Sequence, residues 1–128
     1  MRKCVGYFEG TDSTLLTALV CEGYDTLPVS NGRDSHGAHV RLINDKNRYD
    51  LLISYVHKIF APEDTLPGDA TYEDVFHICR TYSIPLLIEV PVELQDKARQ
   101  LLREPPDVVQ FVDPADMLTV AKGILSGK

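Results

Sequence analysis

The stretch Ile84-Pro85-Leu86-Leu87-Ile88-Glu89-Val90 (residues 84–90) is the segment of this chain that decides its fold. Apart from one proline and one glutamate it is aliphatic throughout, whereas a strand with one face in water alternates apolar and polar residues. An uninterrupted apolar run is typical of a strand covered on both faces in a parallel sheet. We therefore predict that residues 84–90 form a central strand and that Pro91 ends it.

Strand patterns recur on both sides of this central segment. Residues 4–8 and 51–56 are further apolar runs, and we expect the second of them to be central as well. Residues 26–29 and 107–112 predict two shorter strands. Pro28 favours an edge position for residues 26–29, because proline cannot donate to a strand ladder. Five strands are thus expected.

Each predicted strand is followed by apolar residues at helical spacing. Helices are expected between Asp12 and Gly23, over 35–45, 71–82 and 92–103, and between Asp113 and Gly127. In the helix over 92–103, four residues are expected to face the core: Leu94, Ala98, Leu101 and Leu102. Strict alternation of strands and helices implies right-handed crossovers and one parallel sheet. We predict a single α/β domain over residues 1–128, with a doubly wound five-stranded parallel sheet of the flavodoxin-like (βα)5 kind.

Composition and charge fit a soluble globule. Hydrophobic residues make up 44% of the 128 residues and charged residues 25%, both near globular averages. The formal net charge of −6 argues against a large phosphate-backbone footprint, so no nucleic-acid contact is expected from this domain. No apolar stretch approaches the length of about 18 residues that a membrane span or its anchor requires. Three widely spaced cysteines fit a reducing compartment, and we expect a cytoplasmic location.

Four segments resemble, in their order and spacing, the receiver domains of two-component response regulators. They are residues 19–32 with the turn Gly23-Tyr24-Asp25, residues 49–53, residues 84–88 and residues 113–118. The resemblance covers nearly the whole chain. In that family the first strand ends in an acidic pair that binds magnesium, and the third ends in the aspartate that accepts phosphate. The fourth strand ends in Thr or Ser, and the fifth in Lys before Pro.

The chain departs from this family pattern at most of the phosphorylation positions. Glu9 stands near the acidic pair but is followed by glycine, and five residues on from Asp50 the acceptor position falls on Tyr55. Tyrosine cannot form an acyl phosphate. The fourth-strand hydroxyl and the fifth-strand lysine are also replaced. Mapped residue by residue, the degenerate receiver site comprises Glu9, Asp12, Tyr55, Val90 and Asp113.

The chemical requirements of phosphoryl transfer show which function these replacements would remove. Transfer to a carboxylate needs the nucleophile, a metal that neutralises phosphate charge and a cation beside it. The nucleophile, the hydroxyl and the cation are replaced together, so the resemblance implies a pseudo-receiver whose fold is retained for contacts. The alternative is that the likeness reflects only the flavodoxin-like architecture, which carries many functions.

The function expected from a pseudo-receiver is phosphorylation-independent regulation through protein–protein interaction or dimerisation. The resemblance places the interface on the last helix, the last strand and the preceding helix. We expect charged residues at its rim: Arg99, Arg103, Asp116 and Lys122. The partner would be another protein, an effector domain of the same protein or a second copy. No nucleophile with a matching base is evident, so neither enzyme activity nor a cofactor or metal is expected.

The alternative function is small-ligand or phosphate binding by loops at the carboxyl edge of the sheet. Residues 9–13 resemble the S-G-G-x-D-S loop of the PP-loop ATPases, in which Gly10 and Ser13 would cradle a phosphate. His57 begins a second long loop at the same edge. A closed apolar pocket there would favour the ligand, whereas a filled site would favour the interaction module.

Overall fold

The computed structural model describes residues 3–8, 10–30, 38–39, 43, 49–56, 72–102 and 107–126. The strands in these ranges are β1 (Cys4–Phe8), β2 (Asp25–Ser30), β3 (Ala38–His39), β4 (Leu51–Tyr55), β5 (Leu86–Glu89) and β6 (Val109–Val112). The helices are α1 (Ser13–Cys21), α2 (Tyr72–Tyr82), α3 (Gln95–Leu101) and α4 (Met117–Leu125). Short 3₁₀ turns, Val92–Leu94 and Pro114–Asp116, lead into α3 and α4.

The described strands form one parallel sheet in the order β3-β2-β1-β4-β5-β6. Without the two-residue edge strand β3, five strands remain. Numbered 1 to 5 along the chain, they have the order 2-1-3-4-5 of flavodoxin-like folds. The predicted α/β fold is therefore confirmed. Both β4 and β5 have a strand on each side, as their apolar sequences predicted. Strand order reverses between β1 and β4, where ligand sites of such sheets lie.

The sheet carries a separate hydrophobic layer on each face. Leu52 of β4 packs into the layer that α2 and α3 cover, whereas its neighbours Leu51 and Ile53 pack under α1 and α4. All three side chains are fully buried. This double coverage explains why β4 and β5 have no polar alternation.

The expected helix over residues 35–45 is wrong at Ala38–His39, which form β3 instead. They pair with Val29 and Ser30 at the end of β2. Apolar and polar residues also alternate from Ala38 to Leu42, a pattern that fits a strand as well as a helix. Except for the buried Ile43, the rest of that range lies outside the described residues. β2 is therefore not an edge strand, although its pairing with β3 begins only after Pro28.

The expected burial of the predicted helix over residues 92–103 is wrong for two of its four core residues. Ala98 and Leu102 are buried, but Leu94 is 47% exposed and Leu101 48% exposed. At about 100° per residue, Leu94 and Leu101 fall on the same side of Ala98, and Leu102 falls on the other. The side that carries Leu94 and Leu101 faces a groove at the carboxyl edge of the sheet.

The three thiols differ in exposure, and we expect their reactivity to follow it. Cys21 is exposed, whereas burial raises the pKa of Cys79 to about 12. The pKa of the half-buried Cys4 is raised by burial and then by the charges of two aspartates. With iodoacetamide at about pH 8, peptide mapping should find Cys21 alkylated first, Cys4 more slowly and Cys79 only in denaturant. Rapid native alkylation of Cys79 would contradict the packing of α2.

Candidate functional site

The carboxyl ends of the strands bring together four of the residues that the sequence assigned to the degenerate receiver site. Asp12 follows β1, Tyr55 ends β4, Val90 follows β5 and Asp113 follows β6. Glu89 at the end of β5 joins them. Glu9 and His57 lie outside the described residues.

Tyr55 links the loop that follows β1 to the end of β5. Its hydroxyl oxygen accepts the backbone N–H of Asp12 at 3.1 Å. Tyr55 and Glu89 are register partners in neighbouring strands, and the hydroxyl also hydrogen-bonds the Glu89 carboxyl. Burial, and then the charge of Glu89, raises the pKa of Tyr55. The phenol thus bridges the loop after β1 and the end of β5, at the position that the receiver resemblance assigns to the phosphoacceptor.

The loop that resembled a phosphate cradle uses several of its amides internally. Gly10 has a φ of 97°, a left-handed conformation that suits glycine. The Thr11 amide donates to the Phe8 carbonyl at 3.3 Å, and the Asp12 amide donates to Tyr55. Asp12 caps α1 by accepting the Thr14 amide at 3.1 Å, so Ser13 is the exposed first residue of that helix and not its cap. These contacts leave fewer donors for a phosphate.

Asp113 holds two loops together by accepting backbone N–H groups with both carboxylate oxygens. Oδ2 accepts from Ala115 at 3.1 Å and caps the 3₁₀ turn that leads into α4. Oδ1 accepts from Val92 at 3.0 Å, across the edge of the sheet. The nearby Val90 is buried and donates its amide to the Val112 carbonyl at 2.9 Å. The carboxylate of Asp113 therefore has a structural role.

Glu89 lies close to two other acidic groups at the carboxyl edge of the sheet. Its pKa is raised by partial burial, then by the charges of Asp12 and Asp113, and the hydrogen bond from Tyr55 opposes that shift. Among the described residues, no three His, Cys, Asp or Glu side chains are placed to hold a metal ion. The carboxylate of Glu89 thus faces other negative charges and a phenol.

A groove of about 550 Å³ opens beside Glu89, between the strand ends and α3. Its floor comprises Tyr55, Val56, Glu89 and Val90. Its wall is a helical stripe of Leu94, Lys97, Ala98 and Leu101. This groove was not predicted from the sequence, because Leu94 and Leu101 were expected in the core. Their seven-residue spacing beside Lys97, on the helix after a central strand, was the available signal.

The structure brings together only part of the expected interface. Arg99 of α3 lies 4.7 Å from the ring centroid of Phe111 in β6, and Asp116 is exposed beside a depression over the same strand. Lys122 instead pairs with Glu22 of α1 at 3.6 Å. Arg103 lies outside the described residues. The face formed by α3, β6 and α4, hereafter the α3–β6–α4 face, therefore carries Arg99 and Asp116 but not Lys122.

Tyr55→Phe tests whether the phenol links the loop after β1 to the end of β5. We expect a loss of about 1 kcal/mol in the free energy of unfolding, because the Asp12 amide and the Glu89 carboxyl lose a shared partner. Urea denaturation measures the loss. Tyr82→Phe in α2 is the control and should change stability less. Equal stability of Tyr55→Phe and the wild type would exclude a structural role for the hydroxyl.

Comparisons with known proteins add no family assignment. The sequence matches no protein-family model and no curated protein. None of the helices in the described ranges has the length and apolar character to cross a bilayer. The carboxyl edge and the α3–β6–α4 face are therefore the features of the molecule that bear on its function.

Proposed function

We propose that this domain is a phosphorylation-independent regulatory module that acts through protein–protein contacts or dimerisation. The observation that carries the proposal is the Tyr55 bridge at the carboxyl edge. Its hydroxyl contacts the Asp12 amide and the Glu89 carboxyl, so a side chain occupies the position at which a receiver would take up phosphate. A phenol there offers no carboxylate nucleophile.

The charges around this bridge also support the proposal. Asp12, Glu89 and Asp113 are close enough for the first and the last to raise the pKa of Glu89. Three carboxyl groups repel a phosphate unless a cation intervenes. The residue before Pro114 is Asp113, whose oxygens are both bonded to backbone amides. Phosphate binding is therefore disfavoured by electrostatics as well as by the missing nucleophile.

The α3–β6–α4 face is the surface we assign to the partner. Val92, at the start of the turn before α3, is 67% exposed and lines a depression over β6 together with Phe111 and Val120. Arg99 and the exposed Asp116 supply charges of both signs near it. Apolar residues surrounded by a charged rim are typical of protein interfaces. The partner would be a separate protein, an attached effector domain or a second copy.

Phosphorylation independence is tested by adding magnesium with acetyl phosphate or with beryllofluoride. We expect no phosphoryl adduct in the intact mass with the first reagent. With the second, we expect no saturable magnesium-dependent NMR shifts at Asp12, Tyr55, Glu89 or Asp113. A stoichiometric adduct, or saturable shifts at these residues, would show that the domain is a working phosphorylation switch.

The interface is tested with Val92→Glu and a matched control, Val20→Glu. Val20 is 48% exposed on α1, which lies on the face of the sheet opposite to α3 and Val92. Val92→Glu should abolish self-association in sedimentation, or binding of a partner enriched by the wild-type domain, whereas Val20→Glu should preserve it. If both variants behave like the wild type, the α3–β6–α4 face is not the interface.

A second function, small-ligand binding, is favoured by the groove beside Glu89. Its volume of about 550 Å³ falls in the range of ordinary ligand sites. It lies at the carboxyl edge of the sheet, where α/β proteins bind ligands. This function is compatible with the first, because a regulatory module can take its input at the groove and contact its partner elsewhere.

A further inference from the structure

We infer that two copies of this domain pair along the free edge of β6, antiparallel and about a two-fold axis at Gln110, so that their sheets join into one. The inference rests on the proposed function, whose partner it names as a second copy and whose contact it names as main-chain pairing. Three features of β6 carry it: the direction of its backbone groups, its sequence and the open depression beside it.

The backbone of β6 has hydrogen-bonding groups that point out of the sheet. β6 is the last of the described strands on its side, with β5 as its neighbour. The carbonyls of Val108 and Val112 accept amides from the β5 side at 2.9 Å. Backbone groups of successive residues in a strand point to opposite sides, so Val109 and Phe111 direct theirs away from β5. The edge therefore offers the N–H and C=O groups of both residues to a further strand.

The sequence of β6 lacks the features that usually protect an edge strand from pairing. Natural edge strands are very short, are covered, or carry charged residues or prolines. β6 reads Val-Gln-Phe-Val, without a charge or a proline, and Asp113-Pro114 ends it only after the last residue. At the opposite edge of the described sheet, β3 has just two residues. β6 is therefore the edge that suits main-chain pairing.

A depression of about 490 Å³ leaves the edge of β6 accessible. Val92 and Gln95 line it on the α3 side, and Asp116 and Val120 line it on the α4 side. Three residues of β6 lie between them: Gln110, Phe111 and Val112. Because the lining comes from both faces of the sheet, the depression follows the edge, and an extended strand that enters it reaches β6.

The edge of β6 is complementary to itself. Val109 and Phe111 stand on either side of Gln110, so in an antiparallel pair centred on Gln110 each Val109 faces the Phe111 of the other copy. Each such pair exchanges both of its N–H···O bonds. The exposed Gln110 then faces its counterpart, and two side-chain amides can bond each other. No charged residue lies in β6, so the pairing strands bring no like charges together. A two-fold interface requires this kind of match.

Amide hydrogen exchange on the full chain, followed by NMR at low and high protein concentration, tests the pairing. The amides of Gln110 and Val112 point toward β5, so we expect them to be protected at both concentrations. The amides of Val109 and Phe111 should gain protection only at the concentration at which sedimentation shows a dimer. If a dimer forms while Val109 and Phe111 still exchange at the monomer's rate, the copies do not pair through β6.

Charge substitutions at Gln110 test the two-fold axis. Gln110→Lys and Gln110→Glu each place like charges opposite one another, so each should weaken self-association at least about tenfold. An equimolar mixture of the two variants should restore it, which also shows that both variants fold. Gln100→Lys is the matched control, because Gln100 is exposed on α3 and does not line the depression. If Gln100→Lys weakens self-association equally, the added charge is the cause and the assignment to β6 is wrong.

The remaining outcomes separate this inference from the function on which it rests. If self-association survives both Gln110 variants but is lost in Val92→Glu, the copies meet on the α3–β6–α4 face without strand pairing, so the inference is wrong and the proposed function stands. If the mixture of variants fails to restore a dimer, the two Gln110 side chains do not face each other and the inference is wrong. If the wild type stays monomeric, the partner is not a second copy, and binding of another protein decides the proposed function.

Discussion

Gly6→Ala is expected to destabilise the domain by about 3 kcal/mol, near the upper end of the usual cost of overpacking a core. A Cβ atom at Gly6 would lie 2.6 Å from Cδ2 of Leu52, 2.9 Å from Cγ2 of Val29 and 3.1 Å from Cδ1 of Tyr49. Leu52 and Val29 are fully buried, so neither side chain can move away without displacing others. The absence of a side chain at this point of β1 lets three neighbours meet over the strand.

Urea denaturation followed by circular dichroism measures the effect, and Gly123→Ala is the control. A Cβ at Gly123 would meet no atom within 4 Å, and the residue lies inside α4. Alanine there should raise the free energy of unfolding by up to about 1 kcal/mol, because glycine is the poorer helix former. The two substitutions make the same chemical change with opposite expected signs. If Gly6→Ala has the same free energy of unfolding as the wild type, this part of the core is packed differently.

The strands that the sequence predicted best are those buried on both faces. In β4 and β5 local pattern and tertiary environment agree, because parallel strands under two helical layers select aliphatic residues at every position. Residues 51–56 and 84–90 were therefore predictable to within one or two residues of their ends. The prediction failed at Ala38–His39, where two residues at an edge carry too little pattern to distinguish a strand from a helix.

The candidate site was predictable only in outline. Strand order places Asp12, Tyr55 and Asp113 at one edge, and that much follows from alternating strands and helices. The pairing of Tyr55 with Glu89 depends on the register between β4 and β5, which no local pattern specifies. Whether the groove forms depends on which side of Ala98 faces the core. A rotation of α3 about its own axis by a few tens of degrees decides this.

Asp113→Ala is expected to lower the free energy of unfolding by about 2 kcal/mol. The carboxylate accepts two backbone N–H groups, from Val92 and Ala115, and thereby joins the loop after β5 to the turn before α4. Loss of a capping side chain costs about 1 kcal/mol, and the second charged hydrogen bond adds a similar amount. Urea denaturation measures the change. Asp113→Asn should lose about half as much, because one amide oxygen can replace one of the two acceptors.

Asp116→Ala is the matched control, since it removes the same charge three residues away. Asp116 is exposed and makes no side-chain cap to α4, so its loss should cost about 0.5 kcal/mol or less. Asp113→Lys introduces the residue that the receiver resemblance expects before Pro114, and it should destabilise at least as much as Asp113→Ala because an ammonium cannot accept either amide. If Asp113→Lys is as stable as the wild type, the carboxylate does not hold these loops together. If it is destabilised as expected, a lysine before Pro114 is incompatible with the two hydrogen bonds that join the loop after β5 to the turn before α4.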